Sequence, residues 1–399
     1  MRKTATDILF QPLALRNGMT LKNRIVKSAM SDSLGDGQGN PTNTQIRLYE
    51  RWAEGGAAAL IVGEVQGSSD FAEKPGNLLL RADSNLEKYR ELARRGQRNG
   101  AKLLLQLGHA GAMAHPPIST PKGPSAINVP GLSCSALSIE EISKLPSEFA
   151  HTAKLAKELG FAGVQIHAAH GFLLSQFLSP LFNQREDLYG GSIDSRMRIL
   201  IEVVDAVQDA VGSNFMVFVK LNATDQIDGG LEEEDALAVI SALDHSGIDL
   251  IDVSGGTYFP GAKSASDSTG TGPYFMEFAK RAREITKKPL MVTGGFKSYE
   301  QAVNAISSGY ADAVGLARTL VLDPELPKRW LEHGGHADPD FPQFESPPEG
   351  AITAWYTMRI TQLGEDNESD EIRDLQEVVE SYEARDRERS KRWNERFNC

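Results

Sequence analysis

Residues 148–168 read EFAHTAKLAKELGFAGVQIHA, one complete helix-to-strand unit. Apolar residues recur at helical spacing from Phe149 to Leu159. Gly160 follows, where glycine accepts at low cost the left-handed backbone that ends a helix. The next run, Gly163–Ala168, is short and almost continuously apolar, as a strand covered on both faces must be. The same unit recurs in both directions. Strand-like runs fall at Ile25–Met30, Ala58–Val65, Lys102–Gly108, Gly163–Ala168, Phe215–Leu221, Leu250–Ser254, Leu290–Gly294 and Ala313–Ala317. Amphipathic runs fall at Leu86–Arg98, Glu148–Leu159, Arg196–Val211, Glu232–Ser246, Phe275–Thr286 and Tyr299–Ser308, with Gly247 and Gly309 placed as Gly160 is. Strands alternating with helices predict a parallel sheet wrapped by helices. Eight units over about 300 residues predict an α/β fold of the closed (β/α)8 TIM-barrel type. The competing architecture is an open doubly wound sheet, but no G-x-G-x-x-G follows an early strand.

Two segments stand outside the repeat. Residues 109–147, rich in Pro, Ser and Gly, follow the third strand and are expected to cap the C-terminal face of a barrel spanning 1–335. Residues 336–399 read as a Pro-rich linker and a charged helical C-terminal extension. Its stretch Glu371–Lys391 is either a solvated helix face or a partner surface, the latter open to a homo-oligomer. The net charge of −12 disfavours a nucleic-acid partner. No apolar run approaches the roughly 18 residues that span a bilayer. Met1–Asp7 carries no apolar stretch of signal-peptide type, so a cytoplasmic location without membrane attachment is the expectation. Two cysteines, Cys134 and Cys399, are too few for a four-cysteine iron–sulfur cluster and suggest no structural disulfide.

In such a barrel the reacting groups stand at the C-terminal strand tips. Strand seven ends in Thr293-Gly294-Gly295 and strand eight in Leu316-Ala317-Arg318, small residues and a forked cation that suit a phosphate, or else tight turns and a surface ion pair. Lys220 lies inside an apolar strand, where its charge must have a use. It stabilises a developing anion, forms a Schiff base, or belongs to a structural ion pair. His167 and His170 at the fourth tip suit two donors to one substrate oxygen, or two metal ligands with help from Glu64 and His109, or two inert core histidines. Gln106 offers an amide to the edge of a heterocycle.

Together these tips resemble the Old Yellow Enzyme family of FMN-dependent NAD(P)H:flavin oxidoreductases, in its single-domain branch, from Phe10 to about Trp330. The signatures are Asn23-Arg24-Ile25-Val26 leading to Ser28-Ala29-Met30, and Gln106-Leu107-Gly108-His109-Ala110-Gly111. The most specific runs from His167-Ala168-Ala169-His170-Gly171-Phe172 through Gln176-Phe177-Leu178-Ser179-Pro180 to Asn183, Arg185, Tyr189-Gly190-Gly191-Ser192 and Arg196. The resemblance implies bound FMN, reduced by NAD(P)H and then re-oxidised in a ping-pong cycle by a small electron-poor acceptor such as an α,β-unsaturated carbonyl. It implies that Ser28, Ala29, Met30, Ser31 and Val65 line the flavin ring. Gln106 would bond its pyrimidine edge, Lys220 would sit where negative charge gathers, and Gly294, Gly295, Ala317 and Arg318 would hold the phosphate. His167 and His170 would grip the acceptor's oxygen, with Ser33, Phe172 and Tyr258 beside it, and no metal is implied.

Four positions depart from the family pattern. Lys220 stands where the family often has arginine, Ala317 where many members have glycine, and Ser31 where one branch has a flavin-tuning cysteine. Phe172 replaces the tyrosine that protonates the substrate carbon in many members, which leaves Tyr258 or solvent as donor. A Schiff-base aldolase using Lys220 on a phosphorylated substrate, and a flavin-binding protein without catalysis, are the alternative functions.

Overall fold

The computed structural model describes residues 7–16, 18–262, 272–345, 347–348, 350–369 and 374–398. Eight parallel strands form a closed ring: β1 (Ile25–Lys27), β2 (Ala59–Gln66), β3 (Lys102–Gly108), β4 (Gly163–Ala168), β5 (Met216–Asn222), β6 (Leu250–Ser254), β7 (Leu290–Thr293) and β8 (Ala313–Leu316). Each pairs with its neighbours in chain order, and β1 pairs with both β2 and β8, which closes the barrel. The expected (β/α)8 architecture is therefore present, and the open sheet is excluded.

Among the described residues, eight longer helices cover the ring: α1 (Asn43–Glu54), α2 (Leu86–Arg95), α3 (Ile139–Glu158), α4 (Arg198–Val211), α5 (Glu233–Asp244), α6 (Met276–Ile285), α7 (Tyr299–Ser307) and α8 (Leu326–His333). Helix α3 begins nine residues before the expected start, inside the stretch read as insertion. Ser138 and Glu141 form a reciprocal capping box there, and Pro146 is carried within the helix. Between Gly108 and Ser138 the chain builds a small three-stranded sheet from 122–123, 127–129 and 132–136. Ala110, Met113 and Ala114 pack against Phe172 at the fourth strand's tip.

Side chains alternate inward and outward along each strand. The inward series begins with Val26, Ala59, Ile61, Leu104, Met216, Phe218, Leu250, Met291 and Ala313, an apolar floor closed from below by Leu13, Leu15 and Leu21 of an N-terminal hairpin. Two residues further along the same inner faces stand Ser28, Gly63, Gln106, Lys220, Asp252, Thr293 and Gly315. The barrel interior thus passes from oily floor to polar mouth within one side-chain layer.

The extension forms α9 (Ala351–Gly364) and α10 (Leu375–Phe397). Tyr356, Ile360 and Leu363 of α9 join the main core. Helix α10 differs from a fully solvated face: Val378, Asp386 and Trp393 are buried along one stripe, and Trp393 packs on Ala72, Leu79 and Ile118. Arg389 donates to the Ser33 carbonyl, and Arg396 to that of Gln38. Part of Glu371–Lys391 lies outside the described residues, as does Cys399, while Cys134 is a free thiol.

Candidate active site

The polar layer at the barrel mouth is one connected network centred on Asp252, which is fully buried. Its Oδ2 accepts from Lys220 Nζ at 2.6 Å and Gln165 Nε2 at 2.9 Å, and its Oδ1 from Thr293 Oγ1 at 2.6 Å. Gln165 in turn accepts from Gln106 Nε2 at 2.8 Å, and Thr293 shares a hydrogen with Ser28 Oγ at 3.0 Å. A buried ammonium facing a buried carboxylate is a held charge. A Schiff-base amine is activated instead by desolvation in an apolar pocket or by a neighbouring cation. Lys220 is thereby tied to Asp252 rather than left free for attack, and the geometry gives the aldolase alternative no support.

His167 and His170 stand side by side, ring centroids 5.2 Å apart. The Ala169 amide donates to His167 Nδ1 at 3.3 Å, which places the His167 proton on Nε2. His170 takes a left-handed backbone (φ 61°), its amide donates to Asn222 Oδ1 at 3.0 Å, and its Nε2 meets Ser254 Oγ at 2.9 Å. Asn222 is held by its own bonds to Asp225 and the Gly256 carbonyl. Burial, then the Lys220 charge, pulls His170 down to about 3, and burial, then His170 and Lys220, holds His167 well below its usual value. Both rings are neutral near neutrality, His167 with its hydrogen on Nε2. Phe172 lies 5.0 Å from His167 and 5.9 Å from Tyr258, centroid to centroid. Tyr258 is 64% exposed at the rim.

His109 is engaged elsewhere: its ring stacks on Phe71 at 4.0 Å and its Nδ1 accepts from the Gly111 amide. Among the described residues no group of three metal-ligating side chains converges. Ser33 is buried beneath α10, with its carbonyl bound by Arg389. Ser31 bridges to Gly63, and a Cβ on Gly63 would come within 2.9 Å of Ala29. The first two strand tips are therefore in direct backbone contact.

The residues fit a flavin phosphate and ring. Gly294 and Gly295 both take positive φ (121° and 83°), which opens the backbone at the seventh tip. Arg318 makes no ion pair among the described residues, and its guanidinium lies 5.0 Å over the Tyr356 ring of α9. Its fork is left for an anion. Lys220 supplies a cation beneath the mouth, and Gln106 Oε1 borders Gly63.

Several functional groups were missed in sequence. Asp252 carried the same signal as Lys220, a charge within an apolar strand, and Gln165 and Thr293 lie on the same inner faces. Tyr356 carried none.

The family model for the NADH:flavin oxidoreductase / NADH oxidase family matches residues 8–335. The NADH-dependent flavin oxidoreductase iliE of Neonectria sp. (strain DH2) is 36% identical over 80% of this chain and 46% of its own length. The protein of the same name from Hypocrea jecorina (strain QM6a) is 32% identical, over 84% of this chain and 93% of its own. This chain thus spans less than half of the first relative and nearly all of the second. Among solved structures, the old yellow enzyme homologue from Zymomonas mobilis superposes with a TM-score of 0.71 at 26% identity, over 81% of this chain and 92% of that one.

Proposed function

The chain belongs to the NADH:flavin oxidoreductase / NADH oxidase family, and on that premise we propose that it passes hydride from NAD(P)H, through FMN, to a small α,β-unsaturated carbonyl compound. The observation that carries the acceptor class is the pair of neutral, buried histidines side by side at the fourth strand's tip. Two neutral N–H donors polarise a carbonyl oxygen without presenting a competing positive charge, and they favour the oxygen most as it gains negative charge.

Bound FMN supplies the hydride relay, taking two electrons from the nicotinamide and giving them to the acceptor. The protein's own groups do the rest. Arg318, backed by Tyr356, with Gly294, Gly295 and Ala317, would hold the phosphate. Ser28 to Ser31, Val65 and Gln106 would frame the ring, and Lys220, fixed by Asp252, would face the part that becomes negative. His167 Nε2 and His170 would orient the acceptor, with Ser33, Phe172 and Tyr258 as neighbours. The nicotinamide nucleotide and the acceptor would occupy the same open face in turn, which would give ping-pong kinetics.

The test is an anaerobic titration of purified, FMN-loaded protein with NADH and then NADPH, followed by 2-cyclohexenone. Bleaching of the flavin bands by either nucleotide, restored by the enone, is the expected result. Flavin that binds but is bleached by neither nucleotide would sink the catalytic reading in favour of a flavin-binding protein. Bleaching without restoration would reject the acceptor class alone.

A further inference from the structure

The mouth contains a second acid-bearing side chain, and the fold goes out of its way to present it. Pairing of β2 with β3 slips between Val62 and Val65, and at such an irregularity a strand re-aims a side chain. The side chain re-aimed here is Glu64. Its carboxyl is 4% exposed and stands over Gly108, where a Cβ would come within 2.8 Å of Oε2. Oε2 accepts from Gln66 Nε2 at 3.0 Å. Oε1 has no hydrogen-bond partner, and lies 3.3 Å from His167 Nε2. A buried carboxyl oxygen without a partner is costly unless a ligand or a proton completes it.

The groups that face it are few. Gln66 comes from its own strand, His167 from β4, with His170 and Lys220 behind it. Glu73, with Lys74 beside it and Asp386 of α10 beyond, comes from the loop after β2, and Tyr258 from the loop after β6. Among the described residues neither lysine nor arginine pairs with Glu64. Burial first, then the neighbouring Glu73, lifts its pKa well above the usual carboxylate range.

We propose that Glu64 carries the proton delivered to the acceptor, in place of the hydroxyl that Phe172 lacks. This rests on the enone reading of the site. As hydride forms the new C–H bond at the acceptor's β-carbon, the C=C electron pair moves into an enolate. The Glu64 O–H bond then breaks, and the enolate's electron pair takes its proton at the α-carbon as the carbonyl is restored. The carboxylate left behind has Oε1 3.3 Å from His167 Nε2, near enough for a small turn of either side chain to bring the N–H onto the new charge, and solvent restores the proton between turnovers. Phe172, 5.0 Å from His167, fills the space of a donor without acting as one.

The test uses reduced, FMN-loaded enzyme and compares re-oxidation by 2-cyclohexenone with re-oxidation by ferricyanide, which needs no proton on carbon. Glu64→Gln should slow the enone reaction about 10²-fold more than the ferricyanide reaction, and Glu64→Asp should recover part of that loss. With the wild type, enone re-oxidation should fall as pH rises through the raised Glu64 pKa, and Glu64→Gln should lose that limb. Equal effects on both oxidants, or a retained limb, would overturn the proposal. Infrared spectra of the flavin-free protein give an independent readout. A protonated-carboxyl band at neutral pH that Glu64→Gln abolishes supports the assignment, and its absence rejects it. Should the wild type fail to reduce 2-cyclohexenone at all, the enone reading falls, and the infrared band alone decides whether Glu64 holds a proton.

Discussion

The barrel mouth and the C-terminal helix α10 are both rich in charge, and they use it in opposite ways. At the centre of the mouth the charges are buried and matched: Lys220 on Asp252, with Gln165, Thr293, Gln106 and Ser28 completing the network. Along α10 most charges are exposed and paired loosely within the helix, as in Arg387 with Glu383 and Arg392 with Glu388. What attaches α10 is a stripe of Val378, Asp386, Arg389 and Trp393. Charge carries function where water is excluded, and is mostly solvation where water is present.

That contrast can be broken most forcefully at its centre. Asp252→Asn leaves the Lys220 ammonium buried and unmatched, and should cost about 3–5 kcal/mol of stability together with flavin retention. Urea unfolding monitored by circular dichroism, beside the flavin-to-protein absorbance ratio, measures both; a loss under 1 kcal/mol would show the network to be dispensable. On α10, Trp393→Ala should cost about 3 kcal/mol through the lost packing on Ala72, Leu79 and Ile118. Removing the exposed Arg387–Glu383 pair should cost at most about 0.5 kcal/mol. If the two changes proved equal, the anchoring role of the stripe would be rejected.

The mouth's chemistry is sharpened by Phe172→Tyr. Restoring a hydroxyl on the ring whose centroid lies 5.0 Å from that of His167 should raise the enone rate by up to about 10²-fold if proton delivery limits turnover. An unchanged rate in stopped-flow re-oxidation, with flavin bound and the fold intact, would show that proton delivery already suffices. A smaller effect is expected where the two regions meet. Tyr356→Leu removes the ring beneath Arg318 and should weaken FMN binding by about 0.5–1 kcal/mol, readable as a few-fold rise in Kd by fluorescence quenching. No rise would mean that the extension contributes nothing to the cofactor's phosphate.

The barrel was legible because strands buried on both faces cannot hide. Runs such as Gly163–Ala168 and Leu250–Ser254 match the observed elements residue for residue. The start of α3 was less so, since Pro146 reads as a breaker while the capping box at Ser138 and Glu141 sets the helix earlier. Attention to strand tips alone found Lys220 but passed over its partner Asp252, one strand away and at the same height. Glu64 was visible only as a charge near a strand end, because its direction depends on a slip in pairing between two strands.

By itself the sequence determined the repeat of strand and helix, the closed barrel that eight such units form, and the family to which its motifs belong. These follow from local periodicity and from residue types that each strand carries within itself. The tertiary structure decided which charges meet. Lys220 and Asp252, Glu64 and His167, and Arg318 and Tyr356 come from different elements, 32 residues or more apart in the chain. Whether two such groups form a network is a matter of distance and of excluded water, and both exist only once the chain has closed around them.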